Sequence, residues 1–284
     1  MFATDMLQGE VVLITGGGTG LGRAMAERFA GLGAKVAVVG RRQEPLAQTV
    51  QAIALAGGKA SHAACDVRDP ASVAAAVDAV EAQLGSVTVL INNAAGNFLA
   101  ATEELSANAF DAVVKIVLNG TFHCTTELGK RWIARGTKGH VLSIVTTYAW
   151  TGSAFVTPSA CAKAGVLVLM KSLAVEWACY GIRCNAIAPG PFPTEGAFSR
   201  LMPDAMHEEA LKQVPLGRFG RPDELASLAA YMLSPMNTWM TGECVTLDGG
   251  EVLKAGQEFS RMVDVPRDEL KLALSMMRPS KGGK

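Results

Sequence analysis

The first residues able to do chemistry lie near the amino terminus, in Thr15-Gly16-Gly17-Gly18-Thr19-Gly20-Leu21-Gly22. The run follows an apolar β-branched stretch and precedes helical spacing, the context in which a glycine loop holds a phosphate. Glycines permit a tight turn and close backbone approach, while the helix start presents free N–H groups and the positive end of its dipole. A dinucleotide pyrophosphate suits that position. Further on, where Asp or Glu would grip the ribose diol of NAD, stands Gly40-Arg41-Arg42. Two guanidinium groups without a carboxylate can fork onto a 2′-phosphate, so the sequence predicts NADPH over NADH. A second pair, Ser159 and Lys163, is four residues apart and shares one face of a predicted helix, bringing a hydroxyl and a cation to one cleft. Because Ser159 follows Pro158, it is also a candidate helix N-cap.

These residues need a scaffold, and the chain supplies a repeating one. Short β-branched runs at Val11–Thr15, Lys35–Val39, Ser61–Asp66, Val87–Asn92, His140–Ile144, Arg183–Ala188 and Cys244–Asp248 alternate with longer segments of helical spacing. The pattern predicts βαβ crossovers: a doubly wound α/β fold with about seven mostly parallel strands and helices on both faces. Leu21, Met25, Phe29 and Leu32 form a helical stripe after the glycine loop, and Pro222–Leu233 reads as a helix opened by proline. The chain reads as one domain, residues 1–284, with a core over about 9–250. The stretch 189–216, with five prolines and two glycines, is expected to form a small substrate lid, and 251–284 a tail.

Composition narrows the class. Of the 284 residues 49% are hydrophobic and 18% charged, enough apolar surface to cover a sheet on both faces. Lys plus Arg and Asp plus Glu balance at 26 each, which disfavours a nucleic-acid partner. Cys65, Cys124, Cys161, Cys179, Cys184 and Cys244 show no zinc spacing, and His62, His123, His140 and His207 no ligand pattern, so no metal is expected. The acidic N-terminal segment does not read as a signal peptide, and no apolar run approaches the roughly 18 to 20 residues a membrane helix needs, which predicts a soluble protein. The expected compartment is the cytoplasm, or the mitochondrial matrix if a presequence has been removed.

The glycine loop, Asp66 after the third strand, Asn92-Asn93-Ala94-Ala95-Gly96 after the fourth, Asn119, and Pro189-Gly190 after the sixth together resemble the short-chain dehydrogenase/reductase superfamily, from about Gly9 to Gly250. The resemblance implies that Thr15, Gly16, Gly18, Thr19, Gly20, Leu21, Gly22, Arg41, Arg42, Asp66, Val67, Asn93, Lys163, Pro189, Gly190 and Phe192 bind the cofactor. The superfamily's Tyr-x-x-x-Lys is replaced by Ser159-Ala160-Cys161-Ala162-Lys163. Of three tyrosines, Tyr148 alone lies between the fifth strand and the Lys163 helix, at the sheet edge where ligands bind.

That departure is itself a pattern. Asn92–Phe98, Tyr148 fifteen residues before Lys163, Pro158-Ser159 and Gly196–Arg200 resemble the mitochondrial-type 2,4-dienoyl-CoA reductases. The resemblance implies NADPH-dependent reduction of a 2,4-dienoyl-CoA to the trans-3-enoyl-CoA in β-oxidation of unsaturated fatty acids, by a homotetramer. It makes Tyr148 the acid, Lys163 the cofactor anchor and Asn97 a carbonyl donor, with Arg68, Phe98, Ser106 and Arg200 on the substrate. Hydride addition to the far end of the diene pushes charge onto the carbonyl oxygen, which donors such as Asn97 and Tyr148 must meet. Thr146 or Thr147 stands where the superfamily has a catalytic serine, although strand-end packing serves equally. Asn119 either bridges to Lys163 through water or simply opens a turn at Asn119-Gly120. Phe192, Phe198, Leu201, Met202 and Met206 either line an acyl tunnel or pack the excursion. Two other functions compete: a 2-enoyl or 3-oxoacyl thioester reductase, and a catalytically silent NADPH-binding sensor.

Overall fold

The computed structural model describes residues 2–194, 207–256 and 260–276, apart from the side chains of Arg261 and Ser275. Among the described residues seven strands form one sheet: β1 Val11–Thr15, β2 Lys35–Gly40, β3 Lys59–Ala64, β4 Val89–Asn92, β5 His140–Ile144, β6 Arg183–Pro189 and β7 Cys244–Leu247. Their order is β3-β2-β1-β4-β5-β6-β7, and every neighbouring pair is parallel. The crossover direction reverses between β1 and β4, which opens a crevice at the carboxyl edge there.

Alternation along each strand divides the core. Val11 and Leu13 of β1 face a layer containing Val77, Leu128, Trp132, Val166 and Met170, whereas Val12 and Ile14 face Met25, Phe29, Leu225 and Met232. The first layer is carried by α3 (Pro70–Leu84), α5 (Gly120–Arg135) and α7 (Thr157–Glu176), the second by α1 (Gly20–Ala30) and the helix Pro222–Leu233. This last helix has the bounds expected from its opening proline. Between them α2 spans Gln43–Leu55, α4 Ala107–Val114 and α6 Tyr148–Thr151.

Three expectations need correction. The third strand begins at Lys59, paired with Lys35, and ends at Ala64, so Asp66 lies beyond it; Gly57-Gly58 already turns the chain out of α2. No turn opens at Asn119: a π-helical turn, Lys115–Asn119, joins α4 to α5 without a break. One helix, α7, is long and apolar enough to cross a membrane by length and composition. Half of that stretch is buried in the protein, and Lys163 and Lys171 interrupt it in sequence while leaving it apolar on average. All six cysteines are unpaired.

Candidate functional site

The glycine loop joins β1 to α1, and its shape is dictated by its glycines. Gly16 (φ 68°) and Gly20 (φ 55°) adopt the left-handed region. A methyl group on Gly17 would lie 2.4 Å from Val38 Cγ1, and one on Gly22 would lie 2.5 Å from the Gly16 carbonyl oxygen. The buried Thr15 hydroxyl accepts from the N–H groups of Asn93 and Ala94, each at 3.0 Å, and so ties the loop to the end of β4. Asn93 completes the tie by donating Nδ2 to the carbonyls of Thr15 (3.1 Å) and Gly16 (3.2 Å).

The start of α1 differs from those of α3 and α4. Asp69 caps α3 by accepting from Ala71 N–H (3.0 Å), and Ser106 caps α4 by accepting from Ala109 N–H (3.1 Å). Thr19 makes no side-chain cap, and the first turn of α1 contains no acid. Its N–H groups therefore suit an external anion. Gly18 sits close to Pro45 and Leu46, while Leu21 is half-buried. Arg41 and Arg42 are exposed at the tip of β2, and no ion pair engages either among the described residues. An uncapped helix start beside two exposed guanidinium groups fits the phosphates of a dinucleotide.

Asp66 and Arg68 are engaged with each other. The guanidinium donates Nε to Asp66 Oδ1 at 2.9 Å and an Nη to Oδ2 at 2.5 Å, and this hydrogen bonding holds the carboxylate down to about 2. Val67 is buried, and its carbonyl accepts from His123 Nδ1 at 2.9 Å. At the far side of the crevice Gly190 lets the end of β6 pass Asp248, since a methyl group there would lie 2.6 Å from Asp248 Cβ. Pro189 closes β6, and Phe192 is buried against Gly220. Arg200, the Gly196–Arg200 pattern, Leu201, Met202 and Met206 lie outside the described residues, as does much of the expected lid; its described part contains the helix His207–Gln213.

The central cluster forms where β5 and β4 deliver their following segments. Tyr148 opens α6, and its Oη stands 3.1 Å from Ser159 Oγ and 3.4 Å from Asn97 Nδ2. Asn97 is oriented by its own backbone neighbour: Phe98 N–H donates to Oδ1 at 2.9 Å, leaving the Nδ2 donor turned toward Tyr148. Ser159 is not an N-cap, because α7 starts two residues earlier, at Thr157, with Pro158 within its first turn. Ser159 is thereby carried inside the helix, buried and facing the phenol. One turn later, buried Lys163 donates to the Ile144 carbonyl, and burial holds its ammonium down to about 8. Thr146 and Thr147 are half-buried just ahead of Tyr148, and Thr146 contributes its carbonyl to Ala149 N–H (3.1 Å). Phe98 is partly exposed on the Asn97 segment, and Ser106 is held as the cap of α4. Sequence reasoning missed Phe155, which has a positive φ of 64° and offers its carbonyl to Ala100 N–H (3.0 Å). It carries no composition signal, since nothing about Ala154-Phe155-Val156 marks a left-handed residue. Among the described residues no group of His, Cys, Asp and Glu is arranged for a metal.

A doubly wound parallel sheet with a glycine loop at its switch point and a Tyr–Ser–Lys cluster beside it defines a nucleotide-dependent oxidoreductase, and the chain belongs to the short-chain dehydrogenase/reductase family. A family model described as enoyl-(acyl carrier protein) reductase matches residues 16–251. A Caenorhabditis elegans protein named as an uncharacterized oxidoreductase is 53% identical over 86% of this chain and 80% of its own length. A second C. elegans protein, named probable 2,4-dienoyl-CoA reductase 3, (3E)-enoyl-CoA-producing, is 47% identical over 86% of this chain and 81% of its own. A Bacillus subtilis protein named probable 2,4-dienoyl-CoA reductase, (2E)-enoyl-CoA-producing, is 43% identical over 87% of this chain and 98% of its own. Among solved structures, a short chain dehydrogenase from Bacillus anthracis aligns with a TM-score of 0.79 at 43% identity, covering 85% of this chain and 96% of that one. A putative 2-deoxy-D-gluconate 3-dehydrogenase from Agrobacterium tumefaciens with bound NADP aligns with a TM-score of 0.81 at 33% identity, covering 88% and 99%.

Proposed function

We propose that this oxidoreductase reduces 2,4-dienoyl-CoA thioesters with NADPH, giving the trans-3-enoyl-CoA in the breakdown of unsaturated fatty acids. The observation that carries the reading is the convergence of Asn97 Nδ2 and Ser159 Oγ on Tyr148 Oη, one helical turn from buried Lys163. The Thr15–Gly22 loop, Arg41, Arg42 and Asn93 would hold NADPH, which when bound would supply the hydride that the far end of the diene accepts. Asn97 and Tyr148 then donate hydrogen bonds to the thioester oxygen on which charge collects. Tyr148 gives its proton to the α-carbon, which leaves the remaining double bond between C3 and C4. Lys163 stabilises the resulting phenolate by its charge, and the proton is restored from solvent. Arg68, Phe98, Ser106 and Arg200 are assigned to the substrate. The exposed outer face of α7, with Val168 and Val175, is assigned to assembly as a homotetramer.

One relative supports a second reading of the product. The B. subtilis protein is named as (2E)-enoyl-CoA-producing, and the same dienolate protonated at C4 instead of C2 leaves the C2–C3 double bond. Which carbon faces Tyr148 decides between them. The test is NADPH oxidation by 2,4-dienoyl-CoA and by 2-enoyl-CoA, with NADH in parallel and the product bond located by NMR. The expected result is turnover of the dienoyl substrate, preference for NADPH, a 3-enoyl product, and a loss of about 10²–10⁴-fold in kcat for Tyr148→Phe. Full activity of Tyr148→Phe would overturn the mechanism, and equal affinity for NADH would overturn the role of Arg41 and Arg42.

A further inference from the structure

Among the described residues Phe155 is the single non-glycine residue with positive φ, 64°. That region costs a residue with a Cβ conformational energy that glycine does not incur. Three residues earlier Gly152 takes a positive φ of 71°, so this loop does use glycine where only the chain direction matters. Packing does not repay the cost at Phe155, because 60% of the residue is exposed. An exposed aromatic ring on a left-handed backbone is a position at which a role for the side chain outside the fold is to be sought.

The surroundings say what it meets. The segment following β4 and the stretch from the start of α6 to the start of α7 run side by side, linked by three hydrogen bonds: Asn97 to Tyr148 at 3.4 Å, Ala100 N–H to the Phe155 carbonyl at 3.0 Å, and Thr102 to Thr157 between hydroxyls at 2.8 Å. The first link is the proposed acid and carbonyl donor, so the same two segments that hold the polar reacting groups also carry Phe155. They carry further exposed apolar side chains as well: Phe98 (38%), Leu99 (52%) and Trp150 (47%). A ligand reaching Tyr148 along these segments meets polar donors followed by apolar surface, the profile of an acyl thioester.

We propose that Phe155 is a specificity-determining residue, contacting the acyl chain beyond the conjugated bonds and setting which chain lengths react fastest. This rests on the dienoyl-CoA reading above. Its backbone is held through the carbonyl, so substitution alters the ring while the Ala100 link remains available.

The test compares kcat/KM of the full-length enzyme, Phe155→Gly and Phe155→Leu across 2,4-dienoyl-CoAs from hexadienoyl to dodecadienoyl, with NADPH binding measured for each. Phe155→Gly is expected to lose about tenfold more for the longest substrate than for the shortest, the scale of one or two methylenes in an apolar site. Phe155→Leu is expected to recover most of that discrimination, and all three proteins are expected to bind NADPH alike. An unchanged chain-length profile in Phe155→Gly, or an equal loss at every length, would overturn the assignment while leaving the reaction intact. A wild-type enzyme that binds NADPH but turns over no dienoyl-CoA would instead overturn the reading on which the assignment stands.

Discussion

The two sides of the crevice are built from different materials. On the β1–α1 side the hydrogen bonds that set the geometry end on main-chain atoms: Thr15 and Asn93 spend their side chains on the backbone of the opposing segment. On the β5–α7 side those that meet the phenol run between side chains, Tyr148 with Asn97 and Ser159, and Lys163 alone reaches a main-chain carbonyl. The first arrangement defines where a chain passes, and it depends on residues that are small. The second defines where a proton and a charge can sit, and it depends on particular functional groups. The two sides should therefore fail differently when altered.

The largest effect is expected on the side-chain half. Asn97→Ala should cut kcat by about 10²–10³-fold, the usual loss of an oxyanion donor, with NADPH affinity and melting temperature nearly unchanged. A parallel fall in stability would show that Asn97 is structural and blur the contrast. On the backbone half, Gly17→Ala places a methyl group 2.4 Å from the fully buried Val38, and overpacking of this kind costs about 1–3 kcal/mol. Urea melts should show that loss, with weaker NADPH binding. Gly17→Ala/Val38→Ala should be less destabilised than the two single changes summed; strict additivity would mean the clash is relieved elsewhere.

The smallest effect concerns pH. Burial holds Lys163 near 8 in the folded protein against an ordinary 10.5, so between those values the unfolded chain binds the extra proton more tightly. Stability contributed by this group therefore rises as pH increases from about 8 to 10.5, because folding no longer buries a charge. Catalysis that needs the ammonium should fall as pH rises through about 8. Melts and rates of the wild type against Lys163→Met, which cannot titrate, would test the opposed signs; rates and stability falling together would remove Lys163 as their cause.

The same division explains what could be read in advance. Strands β1 and β5 have the bounds expected from their apolar β-branched runs, and the glycine loop sits where its context placed it, because local sequence dictates both. Tyr148 could be found only through resemblance and chain position, since its partners are distant in sequence and meet only in the folded sheet. Ser159 looked like a cap because Pro158 precedes it, yet the helix already begins at Thr157, and the Ser159 hydroxyl turns to Tyr148 instead. The Arg68–Asp66 pair escaped notice because two residues with separate expected ligands satisfy each other when the chain turns after β3. Phe155 was invisible for a simpler reason: backbone sign is a property of the loop's closure against Ala100, not of its residue types.

The π-helical turn at Lys115–Asn119 has a consequence for the long rod that α4 and α5 make together. One extra residue in a single turn slips the helical phase by about 100°. Its two halves accordingly present different stripes: α4 leans chiefly on α7, whereas α5 turns Cys124, Leu128 and Trp132 into the core and leans mainly on α3. The rod thus acts as a fixed rotary offset, letting α4 pack on the helix that carries Lys163 while α5 fills the core beside α3. Removing one residue from that turn would restore an unbroken α-helix and rotate the Trp132 stripe out of register with the sheet.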